Sequence, residues 1–209
     1  MSVTGADLVT AWEDQSGEGN DLTSTPGNEP ELIAGVINGL PVVSSYSLDA
    51  IMSTAANFPD TSVSGGTVII VARQKEAGAV TTLDASGAFL GAGSQVNMQI
   101  QRNGGTSIEG AFNATANLSS GLTQVPEDTF FIGALHFDGI GNILIIRGFP
   151  FSSAIADIPG YIATPLQFFK TLSAPFGNKQ IAECIIYQRN LVDGELASVA
   201  DYLGTKYGL

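Results

Sequence analysis

The chain has 209 residues, with 20 acidic and 8 basic side chains and a formal net charge of −12 at pH 7. Hydrophobic residues make up 44% and charged residues 13%, which excludes a disordered chain, because disorder needs low hydrophobicity and high charge. The scattered basic residues exclude an electrostatic nucleic-acid surface, and the single cysteine excludes a disulfide framework and a cysteine-based zinc site.

Short runs rich in β-branched and aromatic residues, separated by glycine, serine and threonine, follow one another along the chain. They predict strands at residues 67–73, 95–102, 129–138, 142–147, 166–171 and 181–188. The third and fourth runs flank the turn sequence DGIGN and predict a hairpin. Many short strands with frequent turn signals favour an all-β sandwich or jelly roll over alternating strands and helices.

The last element is predicted to be a helix. Asp193 is a suitable N-cap, and Gly208 has the position of a helix-ending glycine. The apolar residues with helical spacing are Leu196, Val199, Ala200 and Leu203. No repeat, low-complexity segment or linker is visible, so we predict a single domain over residues 1–209.

No targeting or membrane element is predicted. The N-terminus lacks a basic region followed by an apolar one, as a signal peptide requires. The longest apolar stretches, such as residues 66–72, have the length of a strand and fall well short of the ~18 residues of a membrane span. We therefore expect no membrane insertion.

Two stretches of the sequence resemble a known family. Residues 11–43 contain W-x-D-x-S-G-x-G-N-D-L followed by N-G-x-P-V-V, and residues 177–209 contain I-A-E-x-I-I-Y and end Y-L-x-x-K-Y-G-L. They are similar to the concanavalin A-like lectin/glucanase superfamily, specifically to the laminin-G-like domains of bacterial surface proteins and phage virion proteins. The middle of the chain matches more loosely, at L-H-F-D-G-x-x-N-I-L-I-I.

The resemblance implies an all-β fold, a two-sheet antiparallel jelly-roll sandwich (concanavalin A-like) with one short C-terminal helix. The family pattern carries an extra strand before the tryptophan motif, whereas ten residues precede Ala11 here. We expect either a trimmed chain, a short strand, or a strand supplied by a neighbour.

The first motif holds candidate binding residues. Trp12 precedes a polar turn and is either a core anchor, which we favour, or a platform for a sugar ring. Asp14, Asn20 and Asp21 lie in a glycine-rich loop whose short oxygen-bearing side chains suit calcium. The same side chains cap turns in most loops, and we favour that role over calcium. No other cofactor is predicted.

Catalysis is not expected. A glycosidase needs two carboxylates that flank the sugar, and the resemblance implies that an enzyme would carry them as E-x-D-x-x-E, which this sequence lacks. Glu13 and Asp14 are adjacent and would point to opposite faces of a strand. His136 is the single histidine, and it lies in an apolar run where a packed side chain is more common than a base.

Three functions remain. We favour a non-enzymatic structural or adhesive protein, a phage virion component such as a capsid decoration protein or fibre subunit, located on the virion surface or outside the cell. The scarcity of charge then predicts contacts with other copies of this chain or with other virion proteins. The second function is a carbohydrate-binding module of a bacterial surface protein, with a glycan as partner and calcium as a potential requirement. The third, a polysaccharide-active enzyme, ranks last because the carboxylate pair is missing.

An aromatic-rich segment supplies further candidate ligand-binding residues. Phe149, Phe151 and Tyr161 lie next to turn residues and are predicted to form a contact surface. The alternative, equally favoured, is that they cover the edge of the sandwich.

Overall fold

The computed structural model describes residues 1–3, 7–45, 50–57, 66–74, 88–92, 98–103, 107–112, 118–119, 128–137, 141–146, 154–156, 165–169 and 179–209. Within these ranges the first strands are β1 (Ser2–Val3), β2 (Val9–Trp12), β3 (Leu22–Ser24), β4 (Glu31–Ile37), β5 (Leu40–Ser44), β6 (Met52–Asn57), β7 (Gly66–Gln74) and β8 (Ala88–Ala92). They are followed by β9 (Met98–Asn103), β10 (Ser107–Phe112), β11 (Leu118–Ser119), β12 (Phe131–Phe137), β13 (Gly141–Ile146), β14 (Ala154–Ala156), β15 (Pro165–Phe168), β16 (Lys179–Tyr187) and the helix α1 (Asp193–Tyr207).

The strands form two antiparallel sheets that pack face to face. One sheet has the order β1-β2-β3-β6-β15-β8-β9-β10-β11, and the other has the order β14-β13-β12-β7-β16-β5-β4. This arrangement, with α1 at the C-terminal end, confirms the predicted all-β two-sheet antiparallel sandwich with one short helix. Among the described residues, no helix is both long and apolar enough to cross a membrane.

Strand β7 lies at the centre of the second sheet and is buried on both faces. Val68, Ile70 and Ala72 belong to the core between the two sheets, which also contains residues of β3, β6 and β15. Ile69 and Val71 belong to a second core on the opposite face, where α1 covers the sheet. Burial on two sides explains why this strand is a continuous apolar run without the alternation of a half-exposed strand.

The hairpin turns follow local chemistry. Strands β12 and β13 pair from Gly133–Ile146 to Phe137–Asn142, which confirms the predicted hairpin. Asn38 and Gly39, between β4 and β5, both have positive φ, at 46° and 77°, as a tight type I′ turn requires. The strand predicted at residues 166–171 ends at Phe168, where Phe169 takes a φ of +58°. Its last two residues lie outside the described ranges.

The helix begins differently from the prediction. Asp193 is the first helical residue, and the N-cap is Val192, in an extended conformation. The prediction of Asp193 as the N-cap is therefore wrong. The first turn is capped instead by Glu195, whose carboxylate accepts a hydrogen bond from the Val192 backbone N–H at 3.1 Å. At the other end, Gly208 takes the predicted left-handed conformation, with φ 69°.

A strand of two residues precedes the tryptophan motif. Ser2–Val3 pairs with β2, with Ser2 opposite Ala11. This matches the expectation of a short strand.

Candidate binding cleft

A cleft opens where β16 leaves its neighbour in the second sheet. β16 pairs with β5 at two positions, Gln180–Ser44 and Ile181–Val43. A bulge between Ile181 and Glu183 then shifts the register of β16 on β7, and no further pair with β5 is formed among the described residues. A bulge bends a strand and re-aims its side chains, so the space beside the second half of β16 is left open.

The cleft has a volume of about 570 Å³ and two walls. One wall consists of side chains from the loop between β2 and β3, together with Trp12, Leu22, Leu166 and Phe168. The other consists of residues 182–186 of β16 and Gln188 just after it, together with Lys206 and Tyr207 at the end of α1. The two sequence motifs that carried the family resemblance therefore meet at one place.

The floor of the cleft is aromatic and apolar. Trp12 is partly buried and packs edge-to-face on Phe168, with ring centroids 5.4 Å apart and an interplanar angle of 88°. Trp12 also packs against the core between the sheets, so it is a core anchor and a cleft residue at once. A partly exposed indole at the base of a polar rim presents a large apolar surface with one hydrogen-bond donor.

The polar rim is a loop organised by the carboxylate of Asp14. Asp14 Oδ1 accepts a hydrogen bond from the Ser16 backbone N–H at 2.8 Å, and Oδ2 accepts from the Ser16 hydroxyl at 2.8 Å. Oδ2 also accepts from the backbone N–H of Asn20 at 3.0 Å and from its side-chain amide at 3.3 Å. Asp21 Oδ1 in turn accepts from the Asp14 backbone N–H at 2.7 Å.

These contacts favour the ionised form of the Asp14 carboxylate. Burial disfavours the charged form of Asp14, but the hydrogen bonds from Ser16 and Asn20 outweigh it and set the pKa of Asp14 below its ordinary value. The loop itself turns through Gly17 and Gly19, both at positive φ, which glycine adopts without steric cost.

The calcium prediction at Asp14, Asn20 and Asp21 stays a prediction. Both Asp14 oxygens face N–H and O–H donors, an arrangement that a cation would have to displace. Within the described residues no group of three or more His, Cys, Asp or Glu side chains is placed to hold a metal ion. Turn capping accounts for the observed contacts of these residues.

A charged triad lies on the other wall. Glu183 Oε2 accepts hydrogen bonds from Lys206 Nζ at 2.9 Å and from the Tyr207 hydroxyl at 2.8 Å. Desolvation disfavours the charged form of Lys206, but its contact with Glu183 outweighs this and raises the Lys206 pKa. Burial, with the Glu183 hydrogen bond and charge, also raises the pKa of Tyr207. The triad fastens the end of α1 to β16.

Cys184 is not a candidate nucleophile. Its side chain packs against the core between the sheets, on the face opposite to Glu183. Burial, together with the neighbouring charge of Glu183, raises the pKa of the thiol. A reactive cysteine needs a lowered pKa and access to solvent.

The structure brings some predicted site residues together and leaves others outside its description. Trp12, Asp14 and Asn20 line the cleft, and Asp21 supports Asp14 from behind. Phe149, Phe151 and Tyr161 lie outside the described residues, as does the side chain of His136. Sequence reasoning did not predict the other cleft residues, among them Phe168, Glu183, Gln188, Lys206 and Tyr207. Four of these five follow residue 180, so the second motif was the available signal.

Several solved structures have a similar β-sandwich fold. The binding domain of Paraclostridial Mosquitocidal Protein 1 is similar with a TM-score of 0.74 at 13% identity, over 94% of this chain and 52% of that one. The receptor binding domain of botulinum neurotoxin C/D mosaic serotype gives 0.62 at 12% identity, over 94% and 51%. Trypanosoma rangeli sialidase in complex with sialic acid gives 0.67 at 12% identity, over 99% and 34%.

These likenesses establish the β-sandwich fold and nothing finer, because identity is low and the chain spans about half of the toxin domains and a smaller share of the sialidase. No protein-family model matches the sequence. No curated protein matches it significantly either. Membership of the laminin-G-like group therefore stays a prediction, although the fold that the resemblance implied is confirmed.

Proposed function

We propose that this chain is a non-catalytic recognition domain that binds carbohydrate in the cleft between the Trp12 loop and β16. The observation that carries the proposal is the juxtaposition of the partly exposed Trp12 ring with polar side chains at the rim, among them Asn20 and Gln188. Sugar rings present apolar C–H faces that pack on an aromatic ring and hydroxyl groups that need hydrogen-bond partners, so such a mixed cleft matches their chemistry.

The similar structures support a binding role in a general way. Two of them are described as binding or receptor-binding domains of toxins, and the third is a sialidase that holds sialic acid. Two of the four carboxylates that line the cleft are committed to structural contacts, which favours a non-catalytic role: Asp14 holds its loop, and Glu183 is bound by Lys206 and Tyr207. Neither is presented as the free acid or base that glycoside hydrolysis requires.

Glycan-array screening followed by fluorescence titration tests the proposal. Trp12 is the single tryptophan, so a ligand in the cleft is expected to change the intrinsic emission of the protein directly. Trp12→Phe keeps an apolar ring in the core but reduces the stacking surface, and Gln188→Ala removes a rim amide. Both variants are expected to weaken binding severalfold, measured for wild type and variants alike by isothermal titration calorimetry because Trp12→Phe removes the fluorophore. Tyr202→Ala removes an exposed ring outside the cleft and serves as the matched control.

The proposal fails if no glycan on the array binds. It also fails if binding persists unchanged in both cleft variants, or if the control weakens binding as much as they do. Reducing-sugar release from a bound polysaccharide would replace the recognition role by a catalytic one.

A second candidate, assembly on a virion or cell surface, rests on the low share of charged residues, 13%. A surface that is partly covered by neighbouring chains needs fewer charges than a fully solvated one. Under this proposal light scattering coupled to size exclusion gives a mass of several chains. A monodisperse single-chain mass, with no binding to any virion, would refute it. Assembly and glycan binding are compatible, since an adhesive subunit uses both.

A further inference from the structure

The cleft carries more negative than positive charge. Four of the side chains that line it are carboxylates, Glu13, Asp14, Glu18 and Glu183, and one is a cation, Lys206. The Lys206 ammonium is 2.9 Å from Glu183 and is committed to that partner. On the other wall, the N-terminal ammonium of Met1 lies 3.3 Å from Glu13.

The rim loop keeps the remaining negative charge. The donors around Asp14 are neutral amide and hydroxyl groups from Ser16 and Asn20, which stabilise its charge without cancelling it. Glu18 is exposed on the same loop. The described side chains of this wall include no lysine or arginine, and the Met1 ammonium offsets one carboxylate, so an anion that enters the cleft still meets an excess of carboxylates.

From these charges we infer that the cleft selects by charge: it takes neutral or amino sugars and excludes carboxylated, sulfated or phosphorylated ones. That the ligand is a sugar rests on the proposed function, whereas the charge selection is a property of the cleft itself. The Met1 ammonium offsets Glu13 and Lys206 offsets Glu183, so replacing Glu13 would leave an uncompensated cation. The net negative charge comes from Asp14 and Glu18. They act on the ligand through their field and need no direct contact with it.

The size of the effect follows from Coulomb's law. Two unit charges 4 Å apart in water interact by about 1 kcal/mol, so one carboxylate at about 7 Å disfavours an anionic ligand roughly threefold, and two disfavour it about tenfold. The selection is expected to weaken as salt is added, because the screening length shortens from about 30 Å at 0.01 M to about 10 Å at 0.1 M.

The first experiment measures the charge of the cleft without any glycan. Trp12 emission is quenched by caesium, iodide and acrylamide, which are cationic, anionic and neutral probes. Caesium is expected to quench several times better than iodide, relative to their ratio for free N-acetyltryptophanamide. Glu18→Gln is expected to raise the iodide quenching constant about threefold and leave that of acrylamide unchanged.

The matched control removes one carboxylate at the other end of the sheet. Asp128 pairs with Arg73 and its backbone N–H donates to Gln74 O, at the end of β7 remote from the cleft. Its positive φ of 59° suits asparagine, so Asp128→Asn changes the net charge with little backbone strain. This variant is expected to leave the caesium-to-iodide ratio near the wild-type value.

The second experiment compares one neutral oligosaccharide with its sialylated form and with its de-N-acetylated amino form. The neutral and amino forms are expected to bind at least tenfold more tightly than the sialylated one at low salt. Glu18→Gln is expected to reduce this difference about threefold. Equal quenching by iodide and caesium, or preferred binding of the sialylated form, would overturn the inference. If no oligosaccharide binds while the quencher preference holds, the carbohydrate role fails and the charge selection stands.

Discussion

Replacing Glu183 with glutamine tests whether the triad fastens α1 to the sheet. The variant keeps the size of the side chain and removes the charge that Lys206 and Tyr207 share at 2.9 and 2.8 Å. Hydrogen bonds to charged groups contribute about 1.5–3 kcal/mol each. Because the side chains of Lys206 and Glu183 are 34% and 23% exposed, we expect a loss of about 1–2 kcal/mol in the free energy of unfolding.

Urea unfolding followed by Trp12 emission and far-ultraviolet circular dichroism measures this loss. A change of 1–2 kcal/mol in a chain of this length corresponds to a fall in Tm of about 2–8 °C. Lys206→Met and Tyr207→Phe, each combined with Glu183→Gln, complete two double-mutant cycles that isolate the two contacts. Coupling energies indistinguishable from zero in both cycles would refute the reasoning.

The same triad predicts a pH dependence. Folding raises the pKa of Lys206 and of Tyr207, so the folded state holds these protons more tightly than the unfolded state. The stability they contribute is complete below their ordinary pKa values, about 10 for both, and declines as pH rises above them. The wild type is therefore expected to lose more stability in alkaline solution than Glu183→Gln, in which Tyr207 keeps its burial but the charge that raises the Lys206 pKa and adds to the rise at Tyr207 is gone.

Three further outcomes are expected. Leu135→Ala, at a fully buried position, should cost about 2–5 kcal/mol by urea unfolding, and a smaller loss would contradict the core assignment. Asp14→Ala should speed amide hydrogen exchange at Ser16 and Asn20. Because the Asp14 pKa is lowered, its stabilisation is present above the ordinary pKa and lost as pH falls through the folded value, so the wild-type protection factors of these amides should fall in acid. Cys184, which lines the cleft with a raised pKa, should react slowly with a thiol reagent in the native protein and faster in urea; fast native labelling would contradict the raised pKa.

The elements that the sequence predicts well are those whose signals are local. Asn38-Gly39 defines its own turn, and the β-branched run that became β7 is apolar along its whole length because it is buried on two faces. The helix was placed by its apolar spacing and by Gly208. Its first residue was misplaced because Asp193 has the chemistry of a cap, whereas the N-cap is Val192, whose N–H donates to Glu195 three residues after it.

The cleft was not predicted, because it depends on contacts between residues far apart in sequence. Trp12 and Asn20 were candidates, but nothing near them in sequence indicates that Glu183 and Lys206 form the opposite wall. The bulge after Ile181, which opens the space, has no turn residue to signal it. Only the resemblance paired the two ends of the chain, and it implied a fold without indicating a shared site.

The placement of the two walls has a consequence for synthesis of the protein. The Trp12 wall leaves the ribosome well before the β16 and α1 wall, because strands β3 to β15 lie between them in the sequence. β16 needs β7 in place before it can pair, and α1 needs the sheet before it can cover it, so the cleft is completed only when the sheets have assembled. Under the proposed function, a nascent chain therefore exposes Trp12 before the cleft exists, and ligand binding reports that the two walls have come together.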